Sequence, residues 1–146
     1  MVRFEGDRDF RLPPAELFAR LTDARFLVQC IPDVESVTQI ESDRASLVLR
    51  PGFSFVRGTL EVALEVVEAV APASARWRMT SKGIGSSSEV AAALALAAHD
   101  GGTRVHWTAE VVSLGGLLKM VPSGLIRGAA EKVVNDVWAA IEAKLG

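Results

Sequence analysis

Reactive chemistry in this chain would fall first to His99, His106 and Cys30, the two histidines and the one cysteine among 146 residues. A metal centre needs three or four convergent ligands. His99 and His106 instead bracket the turn Asp100-Gly101-Gly102, the first at the end of one predicted strand and the second on the charged face of the next. Surface or structural histidines are therefore expected, and no metal. Cys30 precedes Ile31-Pro32 and has no histidine nearby in sequence to activate it, which reads as a buried thiol. The run KGIGSSS at 82–88 has glycines spaced like a phosphate loop, yet it lacks the lysine-hydroxyl pair after them and leads into a strand. It is expected to be a hairpin turn. With no Gly-x-Ser-x-Gly elbow either, no catalytic residue is assigned.

The elements that would have to position any site follow from the hydrophobic period. Residues 2–12 alternate as a strand. Pro13-Pro14 before AELFARLTD places proline at a helix start, with Leu17, Phe18 and Leu21 on one face. Glu16 and Arg20, four apart on that helix, predict an exposed ion pair. Asp23 is a plausible N-cap for a second short helix that Pro32 ends. Strands are predicted at 34–41, 45–50, 53–70, 73–82, 87–98 and 103–113, each break carrying turn residues. In RVHWTAEVV, Val105, Trp107, Ala109 and Val111 face one way and Arg104, His106, Thr108 and Glu110 the other. Leu60, Val62, Leu64 and Val66 are likewise placed inside, as are Trp77 and Met79. The segment 114–138 predicts one long helix with two unlike halves. From Ile126 onward it is amphipathic through Ala130, Val133, Val134, Val137, Ile141 and Leu145. Its first half is apolar but for Lys119 and is interrupted by Pro122-Ser123-Gly124.

A chain of this length can bury roughly 70% of the surface that its unfolded form exposes, so one core needing no disulfide or metal is expected. Sixteen Lys and Arg against eighteen Asp and Glu, interspersed, create no field suited to nucleic acid. The charged start MVRFEGDRDF is unlike a signal peptide, and no stretch is long and apolar enough to span a bilayer. A cytoplasmic protein is expected.

The predicted order is strand, two short helices, about six strands in a meander, then one long helix. A sheet with one apolar face and one helix to cover it must curl around that helix. The expected class is α+β: a helix-grip fold of about seven antiparallel strands, with residues 1–146 forming one ligand-binding domain. This order resembles the START-like superfamily, which includes polyketide cyclases and lipid-transfer domains. Within it the chain is most similar to the carbon monoxide dehydrogenase G-subunit family, through FEG at 4–6, CIP at 30–32, the Arg57-Gly58 pair, and GTRVHW running into LGGLLKMVPSGLIRGAAEKVVNDVW.

In a helix-grip fold the rear of the long helix lies flat on the sheet while its front is held off, leaving a cavity. The expected walls are Leu117, Leu118, Val121 and Leu125 on the helix and Phe53, Phe55, Trp77, Met79, Leu94, Leu96 and Trp107 on the sheet, with Phe26 and Cys30 closing the end. Pro122 and Gly124 would let the helical wall bend. Arg57 is the candidate polar contact, because Gly58 beside it would mark a bulge. The alternating alanines Ala91, Ala93, Ala95 and Ala97 leave volume for a ligand or for tight packing. A dry core built from the same residues is the competing reading.

Two functional classes follow. The first is a non-catalytic carrier for a lipophilic molecule, without a cofactor. The resemblance implies a quinone- or lipid-like ligand and a role beside a molybdenum-containing carbon monoxide dehydrogenase, an oxidoreductase partner, either in recruiting that enzyme to the membrane or in handling a quinone-like electron acceptor. Longer family members end in an apolar extension, whereas this sequence stops at Gly146, so anchoring by such a segment is not expected. Leu117, Leu118, Met120 and Val121 with Lys119 and Arg127 still allow peripheral membrane contact. The second class is a polyketide cyclase-type enzyme, which would need an ionisable group with a displaced pKa inside the cavity.

Overall fold

The computed structural model describes residues 2–52 and 58–145. The chain runs through β1 (Arg3–Phe10), α1 (Pro14–Leu21), α2 (Ala24–Leu27) with a 3-10 turn to Cys30, β2 (Val34–Ile40), β3 (Arg44–Leu49), β4 (Leu60–Val70), β5 (Ser74–Gly83), β6 (Ser86–His99) and β7 (Gly102–Gly116). A 3-10 turn at Leu117–Met120 then leads to α3 (Ser123–Leu145). The seven strands form one antiparallel sheet in the order β1-β7-β6-β5-β4-β3-β2. This is the helix-grip order that the hydrophobic period predicts.

Local chemistry accounts for the boundaries. Pro14 opens α1, and the Asp23 carboxylate caps α2 by accepting from the Arg25 N–H at 2.9 Å. Two hairpins turn through paired positive φ angles: Asp100 and Gly101 at 47° and 80°, Ile84 and Gly85 at 57° and 71°. That is the pattern of a two-residue type I′ turn, which Asp-Gly suits and a β-branched residue does not. The second hairpin is KGIGSSS, a turn as expected.

The alternation holds across the sheet. Val105, Trp107, Ala109 and Val111 are buried, while Arg104, His106 and Glu110 are exposed. On the outer face the register sets Asp9 opposite Arg104, Asp7 opposite His106 and Glu65 opposite Arg78, and each pair is hydrogen-bonded. Such exposed pairs contribute only tenths of a kcal/mol each, so they favour the register more than the stability. The expected Glu16–Arg20 pair is absent from the ion pairs among the described residues; the Arg20 guanidinium lies over the Phe26 ring instead.

The inner face packs against α1, α2 and α3 in a contiguous core. Leu17, Leu21, Leu47 and Val105 are essentially inaccessible, and Trp138 and Ile141 bring the rear of α3 into the same cluster. Trp138, which the predicted apolar face of the helix omits, stacks near Trp107 and Phe10 with ring centroids 5.8 and 6.3 Å away.

One expectation is corrected at the front of α3. Residues 114–116 belong to β7, not to the helix. Gly116 ends the strand at φ 60°, where a Cβ would sit 1.9 Å from the Gly85 carbonyl oxygen, so only glycine fits. The Leu117 N–H then donates to that same oxygen at 3.0 Å. Val121 is extended, as a residue before proline prefers, and the Pro122 carbonyl accepts from Leu125 and Ile126 to start the helix. Pro122 therefore bounds α3 instead of bending it.

Candidate ligand cavity on the concave face

Directly opposed residues share a face, so the register orders the inner side chains in rows across the sheet. From rear to front the rows are Ala75–Leu94–Trp107–Gly6, then Trp77–Ala92–Ala109–Phe4, then Leu64–Met79–Val90–Val111, then Val62–Ser81–Ser88–Leu114. In the first row Ala75, Leu94 and Trp107 are all buried. In the second, Ala92 and Phe4 retain accessible surface, in the third Met79 and Val90, and in the fourth Ser81, Ser88 and Leu114. Along β5 and β6 the exposure of inward-pointing side chains grows toward the front, whereas Val62 and Leu64 on β4 and Val111 on β7 stay buried.

The burial of α3 is uneven along its length. Trp138 and Ile141 at its rear are buried, whereas Ala130, Val133 and Val134 on the preceding turns are only partly covered. Ile126 and Val111 are buried but stand apart from the contiguous core. Two small residues, Ala92 and Ala109, lie side by side at the step from filled to open. They make the floor deeper there than Leu or Met would.

The sequence-predicted wall residues divide accordingly. Phe26, Cys30, Trp77, Leu94, Leu96 and Trp107 fall in one buried cluster, with Met79 packed against it. Leu96 opposes the fully buried Val105, so it belongs to the packed end. Leu118 and Val121 are partly exposed at the front. Leu117 and Leu125 are corrections: at 59% and 50% exposure they stand on the surface, because the strand end and the 3-10 turn carry them past the sheet. Phe53, Phe55 and Arg57 lie outside the described residues. The alanines at 91, 95 and 97 face outward and are exposed, so the room they suggest is on the wrong side of the sheet; Ala92 and Ala109 supply it within. Val90, Leu94 and Leu96 share the face of Ala92, which marks that face as the inner one, and the register with β7 agrees.

Polar groups on the concave side are few. Ser81 and Ser88 are cross-strand partners joined by a hydroxyl–hydroxyl hydrogen bond. Trp77 donates its indole N–H to the Leu21 carbonyl at 2.9 Å, whereas the buried indole N–H of Trp107 has no acceptor among the described residues. Arg8 faces inward on β1, but its guanidinium is bound to Glu142 at 2.8 Å and lies near the Trp138 ring. The Cys30 thiol reaches the Phe26 carbonyl at 3.7 Å, and burial pushes its pKa up. Displaced carboxylates are surface groups: Arg104 lowers Asp9, Arg25 lowers Asp23 and Arg44 lowers Glu41. Among the described residues no three His, Cys, Asp or Glu side chains converge as metal ligands.

The outer face carries two open depressions of ≈ 140 and ≈ 490 Å³. They follow the short row Ser46–Ala63–Thr80, which runs between the longer rows Arg44–Glu65–Arg78 and Val48–Glu61–Lys82. They are troughs between long side chains and gather no convergent polar groups. None of the described helices is long and apolar enough to cross a membrane.

Solved structures share this architecture. A conserved protein from Geobacillus kaustophilus superposes with a TM-score of 0.83 at 19% identity, covering 98% of this chain and 94% of that one. A START superfamily protein from Mycobacterium smegmatis matches at a TM-score of 0.68 and 8% identity, covering 98% and 96%. A Rhizobium loti protein matches at 0.67 and 18%, also covering 98% and 96%. At these identities the likeness establishes the START-like fold alone. No curated protein matches the sequence. The model of the carbon monoxide dehydrogenase G-subunit family (CoxG) matches residues 6–146, and the chain therefore belongs to that family.

Proposed function

We propose that the protein is a carrier for a lipophilic, quinone- or lipid-like molecule, held between the front rows of the sheet and the front half of α3, in the service of a carbon monoxide dehydrogenase. The observation that supports this reading is the change in burial along β5 and β6: inward-facing Met79, Val90 and Ala92 keep accessible surface, while Trp77, Leu94 and Leu96 on the same two strands are buried. Apolar side chains facing an unfilled space favour an apolar guest, and covering roughly 300 Å² of ligand would contribute about 7 kcal/mol before entropic costs. The walls are aliphatic and aromatic, which suits holding a molecule better than acid–base work on it.

The mouth lies at an apolar end of the molecule. Ile84, Leu117, Met120 and Leu125 are exposed there, Met120 at 82%, with Lys119 and Arg127 in the same segment. Such a rim lets the opening rest on a bilayer surface while a ligand passes. The test is native mass spectrometry of the protein purified from its own host. A retained isoprenoid or lipid, lost when the cavity is filled by Ala92→Leu, is the expected result; protein that carries no ligand and takes up no apolar fluorescent probe would overturn the reading.

A further inference from the structure

The two inward tryptophans of the sheet are unequal. Trp77 has its N–H paired with the Leu21 carbonyl, while the N–H of Trp107, on a side chain only 7% exposed, has no partner among the described residues. A buried indole N–H ordinarily finds an acceptor, since leaving it dry forfeits its hydration with nothing in exchange. The neighbours of Trp107 offer none. Gly6 and Leu94 oppose it on the flanking strands, and the Trp138 ring covers it from α3 at 5.8 Å. The indole packs on the Gly6 backbone, where a Cβ would sit 3.2–3.3 Å from Cζ2, Cε2 and Nε1, so a side chain at position 6 would crowd the ring. The next row forward from Trp107 is the shallow-walled pair Ala92 and Ala109.

We propose that the Trp107 indole N–H is the polar anchor of the cavity, donating one hydrogen bond to a neutral acceptor oxygen of the bound molecule, a ketone, quinone or ester carbonyl on an otherwise apolar body. This rests on the carrier reading. Charge selects the class. A carboxylate or phosphate brought to this depth would need a compensating cation. Of the nearby cations, Arg8 is engaged by Glu142, and Arg127 lies over the Phe4 ring at 5.1 Å. A single uncharged donor in apolar surroundings orients a carbonyl and rejects a free acid.

The experiment compares a 1,4-naphthoquinone bearing a short isoprenoid chain with the naphthalene that bears the same chain and no carbonyls. Binding is followed by fluorescence titration and by the ¹H–¹⁵N resonance of the Trp107 indole, identified by its loss in Trp107→Phe. The wild type is expected to bind the quinone about 5- to 10-fold more tightly than the hydrocarbon, the factor for one neutral hydrogen bond. The indole proton should move downfield with the quinone alone, and Trp107→Phe should abolish the preference while leaving hydrocarbon binding in place. Equal binding of the two probes with an unmoved indole resonance overturns the anchor and leaves the carrier intact. So does an equal loss of both in Trp107→Phe, which would make the ring mere packing. If the wild type binds neither probe, the carrier reading itself fails, and the anchor with it. Should Trp107→Phe not fold, the indole resonance is assigned through its nuclear Overhauser contacts to the Trp107 backbone, and the wild-type preference and the indole shift decide.

Discussion

The rear and front halves of the concave face share strands β5, β6 and β7 and the same helix, yet they hold their apolar side chains differently. At the rear, Phe10, Val105, Trp107, Trp138 and Ile141 meet with almost no accessible surface. At the front, Met79, Val90, Ala92, Ser81 and Ser88 point the same way and remain partly open. The difference lies in side-chain size and helix approach. Large aromatics bridge sheet to helix behind, whereas the front carries alanines and serines on β5 and β6 and α3 begins only at Ser123. On the proposed reading, stability rests on the rear packing and the apolar body of a ligand lies at the front, with Trp107 at the step between them, and substitutions should separate the two.

The largest effect is expected at the rear. Trp138→Ala should cost about 3–5 kcal/mol in chemical denaturation, because it removes the ring that ties α3 to Trp107 and Phe10. At the front, Ala92→Leu should lower the affinity for an apolar probe about tenfold or more while changing stability by less than about 1 kcal/mol. A loss of stability typical of an overpacked core, with uptake preserved, would erase the distinction between the halves. Smaller still is the gain at the rim. Ile84 holds a left-handed backbone that a β-branched residue dislikes, and it is exposed. Ile84→Asn should raise stability by about 0.5–1 kcal/mol, read as a higher denaturation midpoint, and should weaken association with anionic vesicles if the rim touches membranes.

The smallest effect is a dependence on pH from Cys30. Its folded pKa lies above the ordinary 9.0, so the folded state binds the proton more tightly. That contribution is fully present below about pH 9 and is lost as the pH rises through the elevated folded value. The chain has no tyrosine to obscure it. Denaturation of wild type and Cys30→Ala between pH 8 and the alkaline limit should show a falling difference between the two; parallel curves would contradict the burial argument.

Much of this architecture can be read without coordinates, because strands with one wet face alternate visibly. RVHWTAEVV predicts its four buried residues correctly, and Leu17, Phe18 and Leu21 fall on the buried side of α1 as their spacing requires. Apolar density without a period misleads, however. Leu114 to Val121 reads as helix, but Gly116 must adopt a conformation closed to other residues beside Gly85, a constraint that no local pattern displays. In AAALALAAH the parity of Leu94 and Leu96 already turns Ala92 inward and the alanines at 91, 93, 95 and 97 outward; what the sequence does not display is that Ala92 lies directly beside Ala109. The unpaired N–H of Trp107 is invisible to sequence altogether, since it depends on what the neighbouring strands fail to offer.

The most direct test of the divided interface is methyl NMR of the wild-type protein titrated with the isoprenoid naphthoquinone. Shifts and intermolecular contacts are predicted at Met79, Val90, Val111 and Ile126, with Leu17, Leu96 and Ile141 unmoved. Perturbation centred on the rear methyls, or on none of them, would contradict the account.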